Sequence, residues 1–250
     1  MSNFSIELND KVALITGGTR GIGKSIAEIF FKSGAILLIT GTKKEEIEVF
    51  NKNEKTGKVT YLYLDFSVEE SVNDFINKIL PQFQIDILIN NAGINKIDLN
   101  IKTTDIDFDL LNNVNLKGPY ILTREVSKQM IISGYGRIVN ITSIWSVVSR
   151  SGRSLYSLTK WGIVGLTKTL STELAQYNIL VNSVAPGFTK TDLTESTNSK
   201  EELISINTLI PIKRMAEPIE IANLVAFLSS NLNTYITGQN IIIDGGYSNV

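Results

Sequence analysis

The sequence predicts an α/β protein with a three-layer, doubly wound arrangement, in which a seven-stranded, mostly parallel sheet lies between helices on both faces. Two observations lead to this prediction. Short apolar runs rich in Ile, Leu and Val alternate along the chain with segments whose apolar residues recur at helical spacing. Repeated strand–helix–strand units place successive strands parallel in one sheet. The predicted strands are residues 12–16, 36–40, 59–64, 86–90, 136–142, 179–185 and 240–244.

Helices are predicted between these strands from apolar residues that recur every three or four positions, which places them on one buried helix face. Three such sets follow the first, third and fifth strands: Ile22, Ile26, Ile29 and Phe30; Val72, Phe75, Ile76 and Ile79; and Ile163, Leu166, Leu170 and Leu174. Each set predicts a helix that packs against the sheet.

No domain boundary is visible in the sequence. The chain has five prolines, no low-complexity tract and no shift in composition. We therefore expect one domain over residues 1–250. Residues 188–215 interrupt the alternation and are rich in Thr, Ser and Asn. Because structureless connections of that length are usually functional, we predict that this segment covers the substrate.

Composition excludes several classes of function. The formal net charge of the 250 residues is -1 and no long basic run occurs, so neither a nucleic acid nor an anionic membrane surface is an expected partner. The N-terminus lacks the features of a signal peptide, and no apolar run approaches the roughly 20 residues of a membrane span. We expect a cytoplasmic protein.

The chain contains no histidine and no cysteine. Disulfides, thiolate nucleophiles, imidazole bases and the commonest ligands of transition metals are therefore absent. We predict no metal site. Proton transfer must use Tyr, Lys, Asp, Glu or water.

A glycine-rich turn follows the first predicted strand. Residues 16–23 read TGGTRGIG and open the first predicted helix. Glycines here permit a sharp turn, close approach of the backbone to a pyrophosphate and close helix packing, while the helix N-terminus presents unpaired N–H groups. The strand–turn–helix context favours dinucleotide binding over an ordinary turn. The predicted cofactor contacts are Gly17, Thr19, Arg20, Gly21, Ile22 and Gly23.

The end of the second strand bears on which dinucleotide is bound. NAD-binding chains of this kind usually carry an acidic residue about 20 residues after the glycine turn, but residues 40–44 read TGTKK. Arg20, Thr42 and Lys43, with Lys44 beside them, offer positive charge and a hydroxyl to a 2′-phosphate. We therefore predict NADP in preference to NAD. The alternative, that the two lysines only begin an exposed helix, stays open.

Tyr156 and Lys160 lie four residues apart in the stretch SLYSLTK, a spacing that places them on one helix face. Tyrosine has a reference pKa near 10 and is a poor base at neutral pH. An ammonium about 4 Å away would favour the phenolate by roughly 4 kcal/mol at an effective dielectric constant near 20, before desolvation is subtracted. A lowered pKa is expected if the pair is catalytic. Taken alone, the two residues could also share a solvated face.

Six motifs, in this order, resemble the short-chain dehydrogenase/reductase family in its single-domain form, over essentially the whole chain. They are TGGTRGIG at residues 16–23, NNAG at 90–93, Asn115 in VNLKG, Ser143 in NITS, YSLTK at 156–160, and Pro186 with Gly187 in PGFTKT. The resemblance implies a Rossmann fold, an NAD(P)-dependent oxidoreductase acting on alcohol or carbonyl groups, and a homotetramer.

The resemblance also implies roles for residues outside the glycine turn. The adenine would lie at Asp65 and Phe66. The ribose region would lie at Asn91, Ala92 and Gly93, with Tyr156 and Lys160 also near the cofactor. The nicotinamide would be lined by Pro186, Gly187, Thr189 and Thr191.

The same resemblance implies a catalytic tetrad of Asn115, Ser143, Tyr156 and Lys160. Tyr156 would exchange the proton with the substrate oxygen, and Ser143 would hydrogen-bond that oxygen. Lys160 would lower the pKa of Tyr156 and hold the ribose, while the backbone carbonyl of Asn115 would hold a water that connects Lys160 to solvent. Singly, each of these residues is more often a cap or surface residue.

Substrate contacts are expected from segments near Ser143 and beneath residues 188–215. The predicted residues are Asn95, Trp145, Arg153 and Phe188. Trp145 indicates an apolar or ring-shaped substrate surface. Lys96, Arg150 and Arg153 would suit an anionic substrate group, but basic loop residues are commonly just solvated, and both interpretations stay open.

The pattern is closest to 3-oxoacyl-carrier-protein reductases and to sugar or polyol dehydrogenases within the family. A 3-oxoacyl compound carried on a thioester is the predicted substrate. The stretch INKIDLNIKTTD after NNAG departs from the arginine-containing run typical of such reductases. A sugar, polyol or secondary-metabolite substrate is the alternative, because the fold carries little substrate information.

Two hypotheses from other classes are weighed against these motifs. A non-catalytic dinucleotide sensor or scaffold would be expected to lose one or more residues of the tetrad, and all four are present. A nucleoside-triphosphate-binding loop is formally matched by Gly18 and Gly23 followed by Lys24 and Ser25. That interpretation would make every later motif a coincidence.

Overall fold

A single sheet of seven parallel strands forms the centre of the protein in the computed structural model, which describes residues 5–192, 194 and 199–249. The strand order is β3-β2-β1-β4-β5-β6-β7. The strands are β1 Val12–Ile15, β2 Ile36–Gly41, β3 Val59–Tyr63, β4 Ile87–Asn90, β5 Gly136–Ile141, β6 Ile179–Pro186 and β7 Asn240–Ile243. All seven predicted strands are confirmed, with bounds that differ by at most one residue at either end.

Helices cover both faces of the sheet, as predicted. The α-helices are α1 Gly21–Lys32, α2 Lys44–Asn53, α3 Glu69–Asp74, α4 Asp105–Asn112, α5 Gly118–Ser133, α6 Ser154–Leu174, α7 Lys200–Leu209 and α8 Pro218–Ser229. Short 3-10 turns occur at Leu80–Gln82, Asn100–Lys102, Ile144–Ser146, Ala175–Tyr177 and Tyr247–Asn249. None of the helices within the described ranges combines the length and the apolar character that crossing a bilayer requires.

The core consists of two apolar layers, one on each side of the sheet. Successive residues of a strand point to opposite faces, so Ile15 belongs to the layer under α1 and α8, whereas its neighbour Leu14 belongs to the layer under α3 and α5. Ile89 and Leu88 divide in the same way. Both faces of the central strands are buried, which explains why the strands read as continuous apolar runs.

The sheet changes direction between β1 and β4. From β1 the chain proceeds to β2 and β3 on one side, and from β4 to β5, β6 and β7 on the other. In open parallel sheets, ligands bind at the carboxyl ends of the strands at such a switch point. The fold therefore places the segments that follow β1 to β6 around one crevice.

Two π-helical segments interrupt the helical layers, at Phe75–Ile79 and Asn113–Lys117. The second joins α4 to α5, so that residues 105–133 form one continuous helical run. Single π-helical turns frequently mark functional sites. Asn115, one of the predicted tetrad residues, lies in this segment and is buried.

The predicted covering segment, residues 188–215, includes positions 193 and 195–198, which lie outside the described residues. Within its described part, Ile206 and Ile210 form a small apolar cluster with Met215, and Phe188 and Tyr247 pack against this cluster. This packing connects α7 to the segment that follows β6. The covering role itself stays a prediction.

Candidate active site

A cavity of about 530 Å³ opens at the carboxyl ends of the strands. Segments that follow β1, β2, β3, β4, β5 and β6 all contribute to its wall. The predicted site residues that line it are Gly17, Thr19, Arg20, Gly21, Ile22, Thr42, Asp65, Phe66, Asn91, Ala92, Gly93, Asn95, Ser143, Trp145, Arg153, Tyr156, Lys160, Pro186, Gly187, Phe188, Thr189 and Thr191. Gly23, Lys43 and Asn115 lie outside its wall.

The glycine turn has a backbone that only glycine adopts readily. Gly17 and Gly21 have φ angles of 61° and 54°, in the left-handed region that L side chains disfavour. At Gly23 a Cβ atom would collide with the carbonyl oxygen of Gly17 and lie 2.5 Å from Nδ2 of Asn91. Gly23 therefore acts by close packing beneath the turn, as predicted, and does not face the cavity.

Asn91 fastens this turn to the end of β4. Its Nδ2 donates to the carbonyl oxygens of Thr16 and Gly17 at 2.9 and 3.0 Å. The Thr16 hydroxyl in turn accepts from the backbone N–H groups of Asn91 and Ala92, both at 3.0 Å. The sequence gives no sign of the role of Thr16, because a threonine at the end of a strand is ordinary. Its contacts appear only when β1 and β4 lie side by side.

The start of α1 is free to receive an anion. Arg20 occupies the N-cap position without a side-chain capping bond, and the first turn contains no acidic residue. The unpaired N–H groups and the helix dipole therefore favour negative charge at this point. The glycine turn and this helix terminus together fit the pyrophosphate of a dinucleotide.

The residues predicted to surround a 2′-phosphate separate into two groups. Arg20 and Thr42 line the cavity. Lys43 instead forms an ion pair with Glu46 at 2.6 Å, and the Lys44 ammonium lies 4.7 Å from the centre of the Tyr63 ring. The structure thus brings an arginine and a threonine to the site, while the two lysines contact residues of their own helix and of β3.

Asn115 connects the loop after β4 to α6. Its side-chain oxygen accepts from the backbone N–H of Ile94, and its Nδ2 donates to the carbonyl oxygen of Ile94, both at 2.9 Å. The same Nδ2 lies 3.2 Å from the hydroxyl of Thr159. Gly93 passes between Asn115 and Lys160, since a Cβ there would lie 3.4 Å from Oδ1 and 3.5 Å from Nζ.

Lys160 carries its ammonium into the interior. The residue is 4% exposed, and Nζ donates to the carbonyl oxygen of Ile141 at 2.9 Å. No carboxylate of the described residues pairs with it. Burial lowers the pKa of Lys160 to about 8, because a charge that leaves water without a counter-charge is disfavoured.

Tyr156 lies on the same face of α6, with its ring centre 5.5 Å from Nζ of Lys160. Burial raises the pKa of Tyr156 to about 12, while a hydrogen bond with Ser143 and the charge of Arg153 act in the opposite direction. The pKa of Tyr156 therefore shifts in the direction opposite to the lowering expected from the nearby ammonium, because desolvation of the phenolate is the larger effect in this cavity.

Ser143 follows β5 and brings its side chain to Tyr156. The residue is 8% exposed, and its hydroxyl oxygen accepts from the backbone N–H of Trp145 at 3.3 Å. It also makes the side-chain hydrogen bond that lowers the pKa of Tyr156. The hydroxyl groups of Ser143 and Tyr156 therefore lie together in the cavity, where both can hydrogen-bond the same substrate oxygen.

Aromatic rings gather around the part of the wall that Trp145 and Phe188 line. Trp145 meets Phe188 edge to face with ring centres 6.1 Å apart, and Tyr247 completes the group at 6.2 and 5.4 Å from them. Arg153 lies over Trp145, 5.3 Å from the ring centre. Tyr247 was not predicted, because no local pattern indicates that the C-terminal residues return to this point.

Some residues of the cavity wall were not predicted from the sequence. Leu64, Ile94, Leu110 and Val114 line the cavity, yet each reads as an ordinary core residue in the sequence. Their position at the carboxyl edge of the sheet distinguishes them, and that position depends on how the strands assemble.

The sheet order places the glycine turn at the switch point, and the same cavity contains Ser143, Tyr156 and Lys160. Together these features define a dinucleotide-dependent oxidoreductase. The chain belongs to the short-chain dehydrogenase/reductase family and is an NAD(P)-dependent enzyme. The matching family model, described as enoyl-(acyl carrier protein) reductase, covers residues 17–248. This membership removes the nucleoside-triphosphate alternative, and Lys24 in fact lies outside the cavity wall, 4.0 Å from Glu28.

Known proteins similar to this chain include 3-oxoacyl-[acyl-carrier-protein] reductases and proteins described as gluconate dehydrogenases. The 3-oxoacyl-[acyl-carrier-protein] reductase FabG of Aquifex aeolicus is 40% identical over 247 residues, which is 97% of this chain and 99% of the relative. A structure described as a gluconate dehydrogenase from Agrobacterium tumefaciens is 32% identical with a TM-score of 0.90, covering 98% of both chains. A structure described as an NAD(P)-dependent gluconate 5-dehydrogenase from Beutenbergia cavernae, with NADP bound, is 29% identical with a TM-score of 0.92, covering 98% and 99%.

Proposed function

We propose that this enzyme interconverts a ketone and a secondary alcohol with NADP(H), with Tyr156 as general acid and base. The observation that carries the proposal is the meeting of Tyr156, Ser143 and Lys160 at one wall of the cavity. A 3-oxoacyl thioester is the proposed substrate, supported by the similarity to the FabG reductase of Aquifex aeolicus.

In the direction of reduction, Tyr156 donates its phenolic proton to the carbonyl oxygen. A pKa of about 12 keeps this phenol protonated at neutral pH, as a proton donor must be. The Ser143 hydroxyl donates a hydrogen bond to the same oxygen and so stabilises the charge that develops there. The bound cofactor supplies the hydride.

Lys160 stabilises the phenolate that remains after proton transfer. Its pKa of about 8 also lets it lose and regain a proton near neutral pH. We propose that Asn115 supports the return of that proton through a water held by its backbone carbonyl. The two hydrogen bonds between Asn115 and Ile94 and the one from Asn115 to Thr159 support this role, because they fix the π-helical segment beside Lys160.

Replacing Tyr156 with Phe tests the proposed acid. General acid–base groups contribute about 100- to 10,000-fold to rates, so we expect kcat to fall at least about 100-fold. NADPH binding, followed by the fluorescence of the reduced nicotinamide, should stay close to wild type. A variant that binds NADPH and turns over at a near wild-type rate would refute the role.

The proposal of NADP rests on Arg20 and Thr42, which line the cavity near the glycine turn. A charged hydrogen bond to a phosphate is worth about 1.5–3 kcal/mol, so Arg20→Gln should raise the KM for NADPH at least about tenfold and leave the KM for NADH unchanged. Lys24→Gln, outside the cavity wall, is the matched control. A wild-type KM that is lower for NADH than for NADPH would contradict the assignment.

A second substrate class is a sugar, a polyol or one of their acids. It is supported by the similarity to the structures described as gluconate dehydrogenases and by the arginine above Trp145. NADPH oxidation measured with 3-oxoacyl thioesters, oxo sugars and oxo sugar acids will separate the two classes. Inactivity with every compound, in protein that binds NADPH, would contradict both proposed substrate classes.

We further propose that the protein assembles as a homotetramer. Tyr120 on α5 and Leu158 and Trp161 on α6 are large apolar side chains with 48%, 50% and 52% exposure. An exposed apolar helix face of this kind is typical of an interface. Light scattering coupled to size-exclusion chromatography measures the assembly, and a monomer at micromolar concentration would contradict the proposal.

A further inference from the structure

Arg153 is a buried cation that forms no ion pair with any of the described residues. It precedes α6, one helical turn before Tyr156, and is 5% exposed. It lines the catalytic cavity. Among the residues that the structure describes, no carboxylate lies within ion-pair distance of its guanidinium and no acceptor hydrogen-bonds its five N–H groups. Burying an unpaired charge is unfavourable, which indicates that a partner arrives from outside the chain.

The other basic residues near the substrate end differ from Arg153. Lys96 forms an ion pair with Asp107 at 2.5 Å, and this pairing helps to lower the pKa of Asp107 to about 2. Arg150 is exposed and lies outside the cavity wall. Of the three basic residues predicted as alternatives for an anionic group, only Arg153 combines burial, a place in the wall and the lack of a partner.

The charges around Arg153 do not neutralise it. Glu202, the acidic residue with a resolved influence on it, is outside ion-pair distance, and its carboxylate accepts from the Ser199 N–H at 2.7 Å at the start of α7. The remaining titratable neighbours are the phenols of Tyr156 and Tyr247 and the cation of Arg150. Trp145 faces the guanidinium through its ring, a contact that orients a planar cation and leaves its N–H edge free.

The part of the cavity near Arg153 is distinct from the glycine turn. Trp145 follows β5 and Phe188 follows β6, whereas the glycine turn follows β1. In the sheet order, β6 lies three strand positions from β1, or roughly 14 Å at the usual spacing of about 4.8 Å. Arg153 therefore faces the substrate end, and Arg20 serves the phosphate end.

We propose that Arg153 binds an anionic group of the substrate, a carboxylate or a phosphate, a few bonds from the carbonyl that is reduced. The inference rests on the proposed carbonyl reduction. Arg153 and Tyr156 line the same cavity, and the charge of Arg153 acts on Tyr156, so an anion on Arg153 lies close to the oxygen at Tyr156. The guanidinium offers two parallel N–H groups to such an oxyanion. A short oxo acid, including a sugar acid, fits this arrangement and belongs to the second substrate class proposed above.

Paired substrates test the inference. NADPH oxidation is measured with 3-oxobutanoate, 4-oxopentanoate and 5-oxohexanoate and with the methyl ester of each, and with dihydroxyacetone phosphate against dihydroxyacetone. We expect Arg153→Gln to lower kcat/KM for the preferred anion about 10- to 100-fold relative to its neutral partner. Arg153→Lys should restore part of the preference, and Arg150→Gln should retain all of it.

The ratio of anion to neutral partner is decisive because Arg153 also acts on Tyr156. Its charge lowers the pKa of Tyr156, so the loss of that charge changes the rates for both substrates of a pair. Loss of the anchor lowers kcat/KM for the anionic substrate alone and therefore changes the ratio of the two values. A larger ratio for acids over esters identifies a carboxylate, and a larger ratio for the phosphate pair identifies a phosphate ester. An equal effect of Arg153→Gln on both members of every pair would overturn the inference.

Direct binding separates this inference from the proposed reduction. In a Trp161→Phe background, Trp145 is the remaining tryptophan, and its fluorescence is titrated with 4-hydroxypentanoate and glycerol 3-phosphate in the presence of NADP. A response in protein with Arg153 that disappears with Arg153→Gln supports the anchor, even if no ketone is reduced. The same fluorescence change in both proteins, or no change in either protein, would contradict the anchoring role of Arg153.

Discussion

Replacing Lys160 with Met removes a buried charge that no carboxylate of the described residues neutralises. Lys160 is 4% exposed, and its ammonium donates to the carbonyl oxygen of Ile141 at 2.9 Å. Burial lowers the pKa of this lysine from 10.5 to about 8. Between these two pH values the unfolded chain binds more protons than the folded chain, so the free energy of unfolding must rise with pH across that window.

The size of the effect follows from the two pKa values. Each pKa unit corresponds to about 1.4 kcal/mol, so burial of the charged form destabilises the native state by about 3 kcal/mol at neutral pH. Integrated from pH 7 to pH 10, the wild type should gain about 2–3 kcal/mol relative to Lys160→Met. Burial also raises the pKa of Tyr156 from 10 to about 12. That shift lowers stability above pH 10 and is common to both proteins.

Urea unfolding of the cofactor-free proteins, followed by circular dichroism at pH 7 and pH 10, measures this difference. Lys168→Met, an exposed position on the same helix, is the matched control and should show no pH-dependent difference from the wild type. If the wild type and Lys160→Met differ by the same free energy at both pH values, the lysine is not destabilised by burial and the reasoning is wrong.

Two further predictions concern the backbone around the cofactor. Gly23→Ala should weaken NADPH binding at least about tenfold, because its Cβ would collide with the carbonyl oxygen of Gly17 and distort the turn that receives the phosphates. Gly165→Ala, at a helical position with no atom nearby, should bind NADPH normally and gain up to about 1 kcal/mol of stability. Asn115→Ala leaves both backbone groups of Ile94 without a partner and should lower the free energy of unfolding by about 1–3 kcal/mol, together with kcat. Unchanged NADPH titration for Gly23→Ala, or unchanged urea unfolding for Asn115→Ala, would contradict the assigned contacts.

The strands were predictable because their signal is local. Continuous apolar runs bounded by turn residues mark strands that are buried on both faces, and all seven are found within one residue of the predicted bounds. The π-helical segment at Asn113–Lys117 was not predicted. No local pattern distinguishes its residues from those of an α-helix, and the segment contacts α6, which lies much further along the chain.

Basic residues show the limit of sequence patterns at the site. Lys43, Lys96 and Arg153 read alike, as cations in or beside loops. Lys43 meets Glu46 one turn further along its helix, and Lys96 meets Asp107 from α4, whereas Arg153 meets the ring of Trp145. Whether a cation forms an ion pair depends on which acidic residues the fold brings near it. The residues adjacent in the sequence do not determine this.

The sequence alone determined the alternation of strands and helices, the glycine turn, and the shared helix face of Tyr156 and Lys160, because each depends on residues that are neighbours along the chain. In a chain without histidine or cysteine, it also restricted proton transfer to a few residue types. Only the tertiary structure decided that Tyr156 has a raised pKa, that Lys160 has a lowered pKa and that Arg153 forms no ion pair with any residue the structure describes. Desolvation and charge pairing depend on atoms that folding brings together from distant parts of the chain.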